Sequence, residues 1–469
     1  MNGSEKTLWL PDLIYWDGHF EARLGIACDA SGMISGLSVA APEFTKTVHL
    51  AGRAMLPGLV NAHSHAFQRV IRGRTEYRTT NAKESFWTWR EMMYRAATRL
   101  TPEDIYDASR MAFLEMALSG ITAVGEFHYL HNLPNGSPYD DPNLLAKEVV
   151  RAARDVGLRI ALLRVAYARS GFQSEPNPRQ ARFIEPDPEV YLDHVSKLQK
   201  DLAELAGQAW VGIAPHSVRA APLNYLKEVV RFGNEQGLPI HMHVAEQPAE
   251  VSACIEEYGR SPVALLETEG LLSERFTGVH MIHITPKAAR MFAQARAKVC
   301  ACPTTERNLG DGIVPGDTLF QENVRVSLGT DSQMQIDLLE DARELEYHLR
   351  LQKMERIVLA SRDAGQQDLA SKLFDCATIN GAQSVNAPSG DLASGLSADF
   401  FTIDLNDPSI AGASQDDLLS IIVFSLSRTA VRDVVVGGKM IVEDGRHAAQ
   451  DEIVERFRDL QKKLWSRAS

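Results

Sequence analysis

Asn61-Ala62-His63-Ser64-His65 follows directly on the apolar run 54–60. Such a run predicts a buried strand, and because side chains alternate along a strand, His63 and His65 point to the same side. Two imidazoles on one face at the end of a strand can share one divalent metal ion. Such pairs also occur on solvated strands, so the rest of the chain has to decide between a metal site and an ordinary strand end.

Strand-like runs and helical stretches alternate along the middle of the chain. One helical stretch is 143–156, in which apolar residues recur at helical spacing. Eight strands alternating with helices predict an α/β fold, a (β/α)₈ TIM-type barrel, with its active site at the C-terminal ends of the strands. The eight runs are 54–65, 120–128, 158–166, 209–216, 239–244, 278–283, 297–303 and 324–331.

The two ends of the chain have a different pattern. Short apolar runs flank the turn-forming Asp29-Ala30-Ser31-Gly32, and Gly437-Gly438 between two apolar runs predicts a β-hairpin. We expect both ends to combine into one small β-sandwich packed on the barrel. The expected parts are a composite β-sandwich of residues 1–55 and 396–450, a catalytic barrel of residues 56–395, and a C-terminal helix of residues 451–469.

Composition limits the classes of function. The chain has 469 residues, of which 45% are hydrophobic and 23% charged, as is usual for a globular protein. Its five scattered cysteines predict reduced thiols in a cytoplasmic protein, and no signal peptide or membrane-spanning run is evident. The net charge of −12 argues against a nucleic-acid partner. A small anionic substrate would need local arginines.

Metal-type side chains recur at the predicted strand ends. His63, His65, His243 and Asp331 offer three imidazoles and a carboxylate, a set that suits Zn²⁺, with Fe²⁺ as the alternative. Such a metal makes hydroxide available at neutral pH. Glu246, three residues after His243, is a candidate to shuttle protons, and His280 is a candidate to hold the attacking hydroxide. Four such residues at one end of a barrel are poorly explained as unrelated strand ends.

Other residues near these runs favour structural roles. His241 lies deeper in its strand than His243, and His283 lies past His280. For Glu126 and His128, a supporting role behind the site and a place in its lining stay open. Cys300-x-Cys302 could form a metal pair, but small apolar side chains on a buried strand explain it better.

The motifs assembled above resemble the amidohydrolase superfamily, in its aminohydrolase branch, over nearly the whole chain. The resemblance implies a barrel with one metal per subunit, a split β-domain and a deaminase-type hydrolysis, and it makes a homodimer an expectation. The motifs that carry it are Pro57-Gly58-Leu59-Val60-Asn61-Ala62-His63-Ser64-His65, His243-Val244-Ala245-Glu246, Val279-His280-Met281-Ile282-His283 and Leu328-Gly329-Thr330-Asp331.

Further segments resemble the formimidoylglutamate deiminase family within that superfamily. This resemblance implies metal-dependent hydrolysis of N-formimino-L-glutamate to N-formyl-L-glutamate and ammonia in histidine degradation. It also implies that Gln68, Tyr129 and His216 bind the substrate. The segments are His65-Ala66-Phe67-Gln68-Arg69, Phe86-Trp87-Thr88-Trp89-Arg90-Glu91-Met92-Met93-Tyr94, Gly125-Glu126-Phe127-His128-Tyr129-Leu130-His131 and Ala214-Pro215-His216-Ser217-Val218-Arg219.

A substrate with two carboxylates requires two cationic partners. Guanidinium groups bind carboxylates through two parallel hydrogen bonds, so two separate arginines are wanted. Arg219 follows the fourth predicted strand and Arg90 lies in the long segment after the first. An exposed helix arginine is the alternative for Arg90. Together, these residues predict that Asp331 and His280 help to deprotonate the attacking water and that Glu246 passes a proton to the departing nitrogen.

Two rival functions remain open at this point. A deaminase of guanine, adenosine or S-adenosylhomocysteine would share the barrel and the metal but would not need two arginines. A barrel protein with a degenerate site would have no enzymatic activity, and the intact set of metal-type residues with Glu246 argues against it.

Overall fold

Gly58 separates the two sheets of the structure, a computed structural model that describes residues 6–38, 44, 46–80, 83–205, 207–361, 365 and 368–466. The run 54–65, predicted as one strand, is two: Lys46–Pro57 belongs to a mixed sheet and Leu59–Ser64 begins a parallel barrel. The backbone N–H of Gly58 donates to Asp399 O at 3.0 Å, and that of Leu59 donates to Gly120 O at 3.0 Å. Successive peptide groups therefore bond to different sheets, which periodicity alone does not reveal.

The strands are β1 (Thr7–Trp16), β2 (His19–Ala22), β3 (Gly25–Cys28), β4 (Ile34–Ser38), β5 (Lys46–Pro57), β6 (Leu59–Ser64), β7 (Ile121–His128), β8 (Arg159–Ala166), β9 (Ala209–Pro215), β10 (Ile240–Val244), β11 (Phe276–His280), β12 (Lys298–Ala301), β13 (Val326–Leu328), β14 (Phe400–Asp404), β15 (Val431–Val436), β16 (Lys439–Glu443) and β17 (Arg446–His447).

The helices are α1 (Phe86–Ala97), α2 (Pro102–Ala117), α3 (Leu144–Val156), α4 (Pro188–Asp201), α5 (Leu223–Glu235), α6 (Pro248–Tyr258), α7 (Pro262–Thr268), α8 (Pro286–Gln294), α9 (Pro303–Leu309), α10 (Gly316–Gln321), α11 (Leu338–Lys353), α12 (Asp368–Ala377), α13 (Ile379–Val385), α14 (Gln415–Ser425) and α15 (Gln450–Trp465). None of these described helices is long and apolar enough to cross a membrane.

Strands β6 to β13 form a parallel barrel in chain order, so the predicted (β/α)₈ architecture is confirmed. The barrel closes where the end of β13 meets β6. There Asp331 N donates to His63 O and His65 N donates to Asp331 O, both at 3.0 Å. Gly329 permits this approach, because a Cβ on it would lie 2.7 Å from His63 Cβ. Closure therefore brings two of the predicted metal-type segments into direct contact.

The other sheet takes strands from both chain ends, in the order β17-β16-β15-β14-β5-β1-β3-β4, with β2 paired to β1. Trp9, Ile26, Met55, Phe400 and Val435 form part of its own buried apolar cluster. This sheet is the β-domain predicted from the two ends, and the predicted hairpin joins β15 to β16 through Gly437-Gly438. The predicted domain boundaries stay predictions, and residues 1–5 and 467–469 lie outside the described ones.

A buried ion pair links β8 to the segment that precedes α4. Arg164, which is 0% exposed, donates through Nη1 to Glu185 Oε2 at 2.5 Å and through Nη2 to Glu185 Oε1 at 3.0 Å. Nδ1 of His194 lies 2.6 Å from Glu185 Oε1. Burial alone would raise the pKa of Glu185, but the charge of Arg164 holds it well below its usual range. A carboxylate with a lowered pKa stabilises the fold above its unfolded-state pKa, and this contribution is lost as the pH falls.

We expect Glu185→Gln to lower the free energy of unfolding by about 3–5 kcal/mol at pH 7, because the buried guanidinium of Arg164 loses its counter-charge. Below pH ~4, where the unfolded-state carboxyl becomes protonated, the difference from wild type should narrow. Urea unfolding from pH 7 to pH 3 measures both effects. Glu189→Gln, on α4 at a solvent-facing position, serves as the control. If the loss of unfolding free energy in Glu185→Gln were the same at pH 7 and pH 3, the stabilising role of the Glu185 carboxylate would be contradicted.

Candidate active site

Four side chains meet at the C-terminal end of the barrel. His63 Nε2 lies 3.1 Å from His243 Nε2 and 3.6 Å from Asp331 Oδ1. His65 Nε2 lies 3.3 Å from the same Asp331 oxygen. All four are buried, with at most 6% of the residue exposed. The structure thus brings together the four residues that the sequence singled out as metal-type ligands.

The strand ends leave the extended conformation to reach this arrangement. Ala245, His280 and Asp331 follow or end β10, β11 and β13, and their φ angles are +53°, +73° and +44°. Residues other than glycine adopt this left-handed region at a cost, so such positions cluster where the surrounding structure enforces them. Here the turns direct side chains from three strands toward one point.

The pKa values of the cluster favour the protonation states that metal ligands need. Burial lowers the pKa of His63 to about 3, and it also lowers the pKa of His65 and of His243. Burial alone would raise the pKa of Asp331, but its contact with His63 and the charge of nearby His280 hold it below its usual range. At neutral pH the cluster offers three neutral imidazoles and one carboxylate.

This donor set fits a divalent cation. Ligands bound at 2.0–2.1 Å in a tetrahedron lie roughly 3.3 Å from one another, and the three separations above are 3.1, 3.3 and 3.6 Å. Two imidazole lone pairs facing each other at the shortest of these distances repel unless a cation or a proton lies with them. Asp331 also lies in a second group of possible ligands, together with His280 and Cys302.

Two buried carboxylates, Glu126 and Glu306, support the cluster. The role of Glu126 stayed open in the sequence analysis, and Glu306 was not considered there. Glu126, left open from the sequence, accepts hydrogen bonds from Ser64 Oγ at 2.5 Å and Ala66 N at 2.7 Å, and so braces both sides of His65. Burial raises the pKa of Glu126 to about 8. Glu306, which was missed, accepts from Cys302 N at 2.9 Å and lies 3.2 Å from His280 Nδ1. Its position five residues after the end of β12 was the available signal.

His280 and Glu246 face the cluster from neighbouring strands. Nε2 of His280 lies 3.9 Å from Glu246 Oε1 and 3.8 Å from Asp331 Oδ2. Burial alone would lower the pKa of His280, but the carboxylates of Glu246, Glu306 and Asp331 raise it well above its usual value. Burial raises the pKa of Glu246. An imidazole and a carboxyl group able to exchange protons therefore lie beside the predicted metal ligands.

A cavity of about 530 Å³ opens onto this cluster. Its wall includes every residue that the sequence predicted to bind substrate, namely Gln68, Arg90, Tyr129, His216 and Arg219. Gln68 Nε2 donates to the hydroxyl of Tyr129 at 2.8 Å. The wall also contains Tyr94, which ends the segment 86–94 but was not predicted to bind substrate, and Tyr167, which carries no motif.

Both arginines reach the cavity with donor capacity to spare. Arg219 is 8% exposed, and its Nε and Nη1 have no hydrogen-bond partner among the described residues. The Nε atom of Arg90 is likewise buried and unpaired within the described part of the chain. Cζ of Arg90 lies 4.4 Å from the ring centroid of Trp87, and Cζ of Arg219 lies 5.8 Å from it. Arg90 is therefore not the exposed helix arginine considered as its alternative.

The histidines assigned to structural roles lie outside the cluster. Nε2 of His241 donates to Ser384 O at 2.9 Å, and Nε2 of His283 donates to Asp311 O at 2.9 Å. His128 is buried beside His131, with ring centroids 6.0 Å apart, and is not part of the cavity wall. These contacts agree with the selection of His243 over His241.

The barrel, the split β-domain and this cluster define a class of protein. The model of the amidohydrolase family matches residues 54–441, and the chain belongs to that family. It is a hydrolase that acts on a carbon–nitrogen bond, as the sequence motifs predicted.

Three proteins illustrate what the chain is similar to within this family. A formimidoylglutamate deiminase of Pseudomonas aeruginosa is 39% identical over 407 residues, which cover 87% of this chain and 88% of that protein. A 5-methylthioadenosine/S-adenosylhomocysteine deaminase of Pyrococcus abyssi is 26% identical over 408 residues, 86% of each chain. The crystal structure of an amidohydrolase from Brucella melitensis superimposes with a TM-score of 0.89 at 32% identity, covering 98% of this chain and 99% of that one.

Proposed function

We propose that this protein hydrolyses N-formimino-L-glutamate to N-formyl-L-glutamate and ammonia. The observation that carries the proposal is the pair of arginines in the cavity. Arg219 and Arg90 present donors that have no partner among the described residues, beside a metal-type cluster. A substrate with two carboxylates and a hydrolysable amidine matches both features. The 39% identical relative from Pseudomonas aeruginosa bears the name of this activity.

We infer that His63, His65, His243 and Asp331 hold one Zn²⁺ per subunit, with Fe²⁺ as the alternative. Three imidazoles and a carboxylate at the measured separations are a typical zinc donor set. When bound, the metal acts as a Lewis acid that makes water available as hydroxide at neutral pH.

The protein side chains then move the protons. The carboxylate of Asp331 accepts one proton of the attacking water, whose oxygen forms a bond to the carbon of the protonated amidine. His280, whose pKa is raised by the surrounding carboxylates, donates a hydrogen bond from Nε2 to that oxygen. Glu246 delivers a proton to the departing nitrogen as the carbon–nitrogen bond breaks. Because burial raises the pKa of Glu246, its carboxyl group holds a proton more readily than an exposed glutamate would. Ammonia leaves, and the hydroxyl of the intermediate returns a proton to Glu246 as it becomes the formyl carbonyl. The proton held by Asp331 leaves with ammonia as ammonium.

We assign Gln68, Arg90, Tyr129, His216 and Arg219 to binding and orienting the substrate. The two guanidinium groups together with Gln68, Tyr129 and His216 bind the two carboxylates, so the amidine carbon is held over the reacting water. Such positioning contributes several kcal/mol to lowering the barrier in enzymes of this type. His216 lies with its ring centroid 4.8 Å from that of His243, at the boundary between the cluster and the cavity wall.

Arg219→Ala should mainly weaken substrate binding. We expect KM for N-formimino-L-glutamate to rise by roughly 10²-fold, the loss of a charge-assisted hydrogen-bonded pair, with a smaller change in kcat. Steady-state ammonia release measures both constants. Arg231→Ala, at a solvent-exposed ion pair on α5, is the control and should leave KM unchanged. An unchanged KM in Arg219→Ala would remove Arg219 from the carboxylate site.

The proposal as a whole is tested by ammonia release from zinc-loaded protein with N-formimino-L-glutamate, guanine, adenosine and S-adenosylhomocysteine. Turnover of the formimino compound alone, abolished by a chelator, is the expected result. Release from a nucleoside or nucleobase instead would support the rival deaminase activity that the name of the 26% identical relative suggests. The cytoplasmic location and the homodimer stay predictions. Size-exclusion chromatography with light scattering tests whether the protein is a homodimer.

A further inference from the structure

Two tyrosines on the cavity wall share one buried amide. The hydroxyl oxygens of Tyr94, on α1, and Tyr167, directly after β8, both accept hydrogen bonds from Gln180 Nε2, each 2.7 Å long. Both tyrosines line the cavity, whereas Gln180 lies behind them and is 1% exposed. Gln180 therefore holds the two hydroxyl groups without forming part of the cavity wall.

The hydrogen atoms of this group can be counted. An amide NH₂ has two hydrogens, and each is used on one tyrosine oxygen, so neither phenol hydrogen is spent on Gln180. Even a hydrogen bond between the two hydroxyls would use only one of the two phenol hydrogens. At least one phenol O–H is therefore left to donate into the cavity. Burial raises the pKa of Tyr94 and of Tyr167, so both remain protonated donors at neutral pH.

The spare phenol donor faces the same space as the two arginines. Arg90 and Tyr94 are four residues apart on α1 and so lie on one face of the helix. The Arg90 guanidinium carbon is 5.4 Å from the Tyr94 ring centroid, and the charge of Arg219 also acts on both phenols. Two guanidinium groups and two phenols, from three segments of the chain, thus line one part of the cavity. Such a group of hydrogen-bond donors suits a carboxylate ligand.

The segment that carries Gln180 is anchored before any ligand arrives. Arg182 donates through Nε to Asn132 O at 3.0 Å and through Nη1 to Leu100 O at 2.8 Å. The ring of Phe183 packs with its centroid 5.9 Å from that of Tyr94 and 5.8 Å from that of Tyr167. Because these contacts fix the segment, the substrate does not have to order the tyrosines on binding.

We propose that Tyr94 and Tyr167, positioned by Gln180, complete with Arg90 and Arg219 a subsite for the side-chain carboxylate of the substrate. His216 lies between this group of donors and the metal-type cluster: its ring centroid is 4.6 Å from that of Tyr167 and 4.8 Å from that of His243. The group of donors therefore binds the substrate carboxylate that is farther from the amidine. This inference rests on the proposed function and adds that the tyrosines select a substrate with a second carboxylate.

The test compares two substrates. N-Formimino-L-glutamate carries the side-chain carboxylate, and N-formiminoglycine lacks it. We expect Tyr94→Phe to raise KM for the glutamate compound by roughly tenfold or more, the loss of a hydrogen bond to a charged group, while kcat changes by less than about twofold. The kcat/KM for the glycine compound should be the same in Tyr94→Phe and wild type.

The positioning role of Gln180 has its own readout. Gln180→Leu should raise KM for the glutamate compound at least as much as Tyr94→Phe does, because Gln180 positions both phenols. The double variant should be no worse than Gln180→Leu alone, because the second substitution removes a hydroxyl that has already lost its positioning partner. Tyr191→Phe is the matched control: it also removes a buried hydroxyl, one that donates to Arg164 O at 2.6 Å, and should leave both KM values unchanged.

Two results would overturn the inference while leaving the proposed function intact. One is an unchanged KM for N-formimino-L-glutamate in both Tyr94→Phe and Gln180→Leu. The other is a rise in KM by the same factor for both substrates, which would show that the tyrosines do not distinguish the side-chain carboxylate. Absence of turnover by the wild-type enzyme would instead refute the proposed function itself.

Discussion

Glu246→Gln should remove turnover while leaving the metal site intact. The amide keeps the volume of the carboxyl group but can no longer deliver a proton to the departing nitrogen. General acid–base catalysis contributes roughly 10²–10⁴-fold, so we expect kcat for ammonia release to fall by that factor. Metal content by atomic absorption should equal that of wild type, because Glu246 is outside the four-residue ligand cluster.

Glu250→Gln is the matched control for this prediction. Glu250 is also fully buried near Arg219, and burial raises its pKa to about 7. A glutamine resembles the protonated form that this side chain already adopts in part, so kcat should change by less than about tenfold. A near-normal kcat in Glu246→Gln, or an equal loss in both variants, would contradict the assignment of proton transfer to Glu246.

His243→Ala should abolish both metal binding and activity. Its Nε2 is 3.1 Å from His63 Nε2, and removing it leaves two imidazoles and a carboxylate around an enlarged cavity. We expect substoichiometric metal after purification and a fall in kcat at least as large as the roughly 10²–10⁴-fold effect of Glu246→Gln. Metal analysis and ammonia release, measured before and after zinc is added back, report the two effects separately.

The same strand supplies the control for this variant. His241 lies two residues earlier on β10 and donates to Ser384 O, away from the cluster. His241→Ala should therefore keep metal near the wild-type content, although loss of a buried hydrogen bond costs about 1–3 kcal/mol of stability. Full metal retention by His243→Ala, or equal metal loss in both variants, would rule out His243 as a specific ligand.

The strand-end residues were predictable because two regularities act together. Alternation along a strand places His63 and His65 on one side, and parallel strands in a barrel bring all C-terminal ends to one rim. Any histidine or carboxylate at a strand end is thereby limited to a small volume. For this reason the sequence identified His243 rather than His241, and the described contacts agree with that choice.

Other features depend on partners that are distant in the chain. The division at Gly58 arises because Asp399 and Gly120 accept successive backbone hydrogen bonds, and neither is near in sequence. Glu306 carries no motif, and its role appears only because its carboxylate reaches His280. Gln180 is similarly inconspicuous in a loop until Tyr94 and Tyr167 are seen to share its amide.

The sequence by itself determined the barrel, the composite β-domain and the chemical types gathered at the active site, because hydrophobic periodicity and motif residues are local properties. Only the tertiary structure decided the separations of about 3 Å within the cluster and the left-handed turns at Ala245 and Asp331. It also decided that Nε and Nη1 of Arg219 have no partner within the described part of the chain. These features depend on barrel closure, in which the backbone N–H of Asp331 donates to His63 O and the two side chains come within 3.6 Å. The local sequence around either residue does not determine this contact.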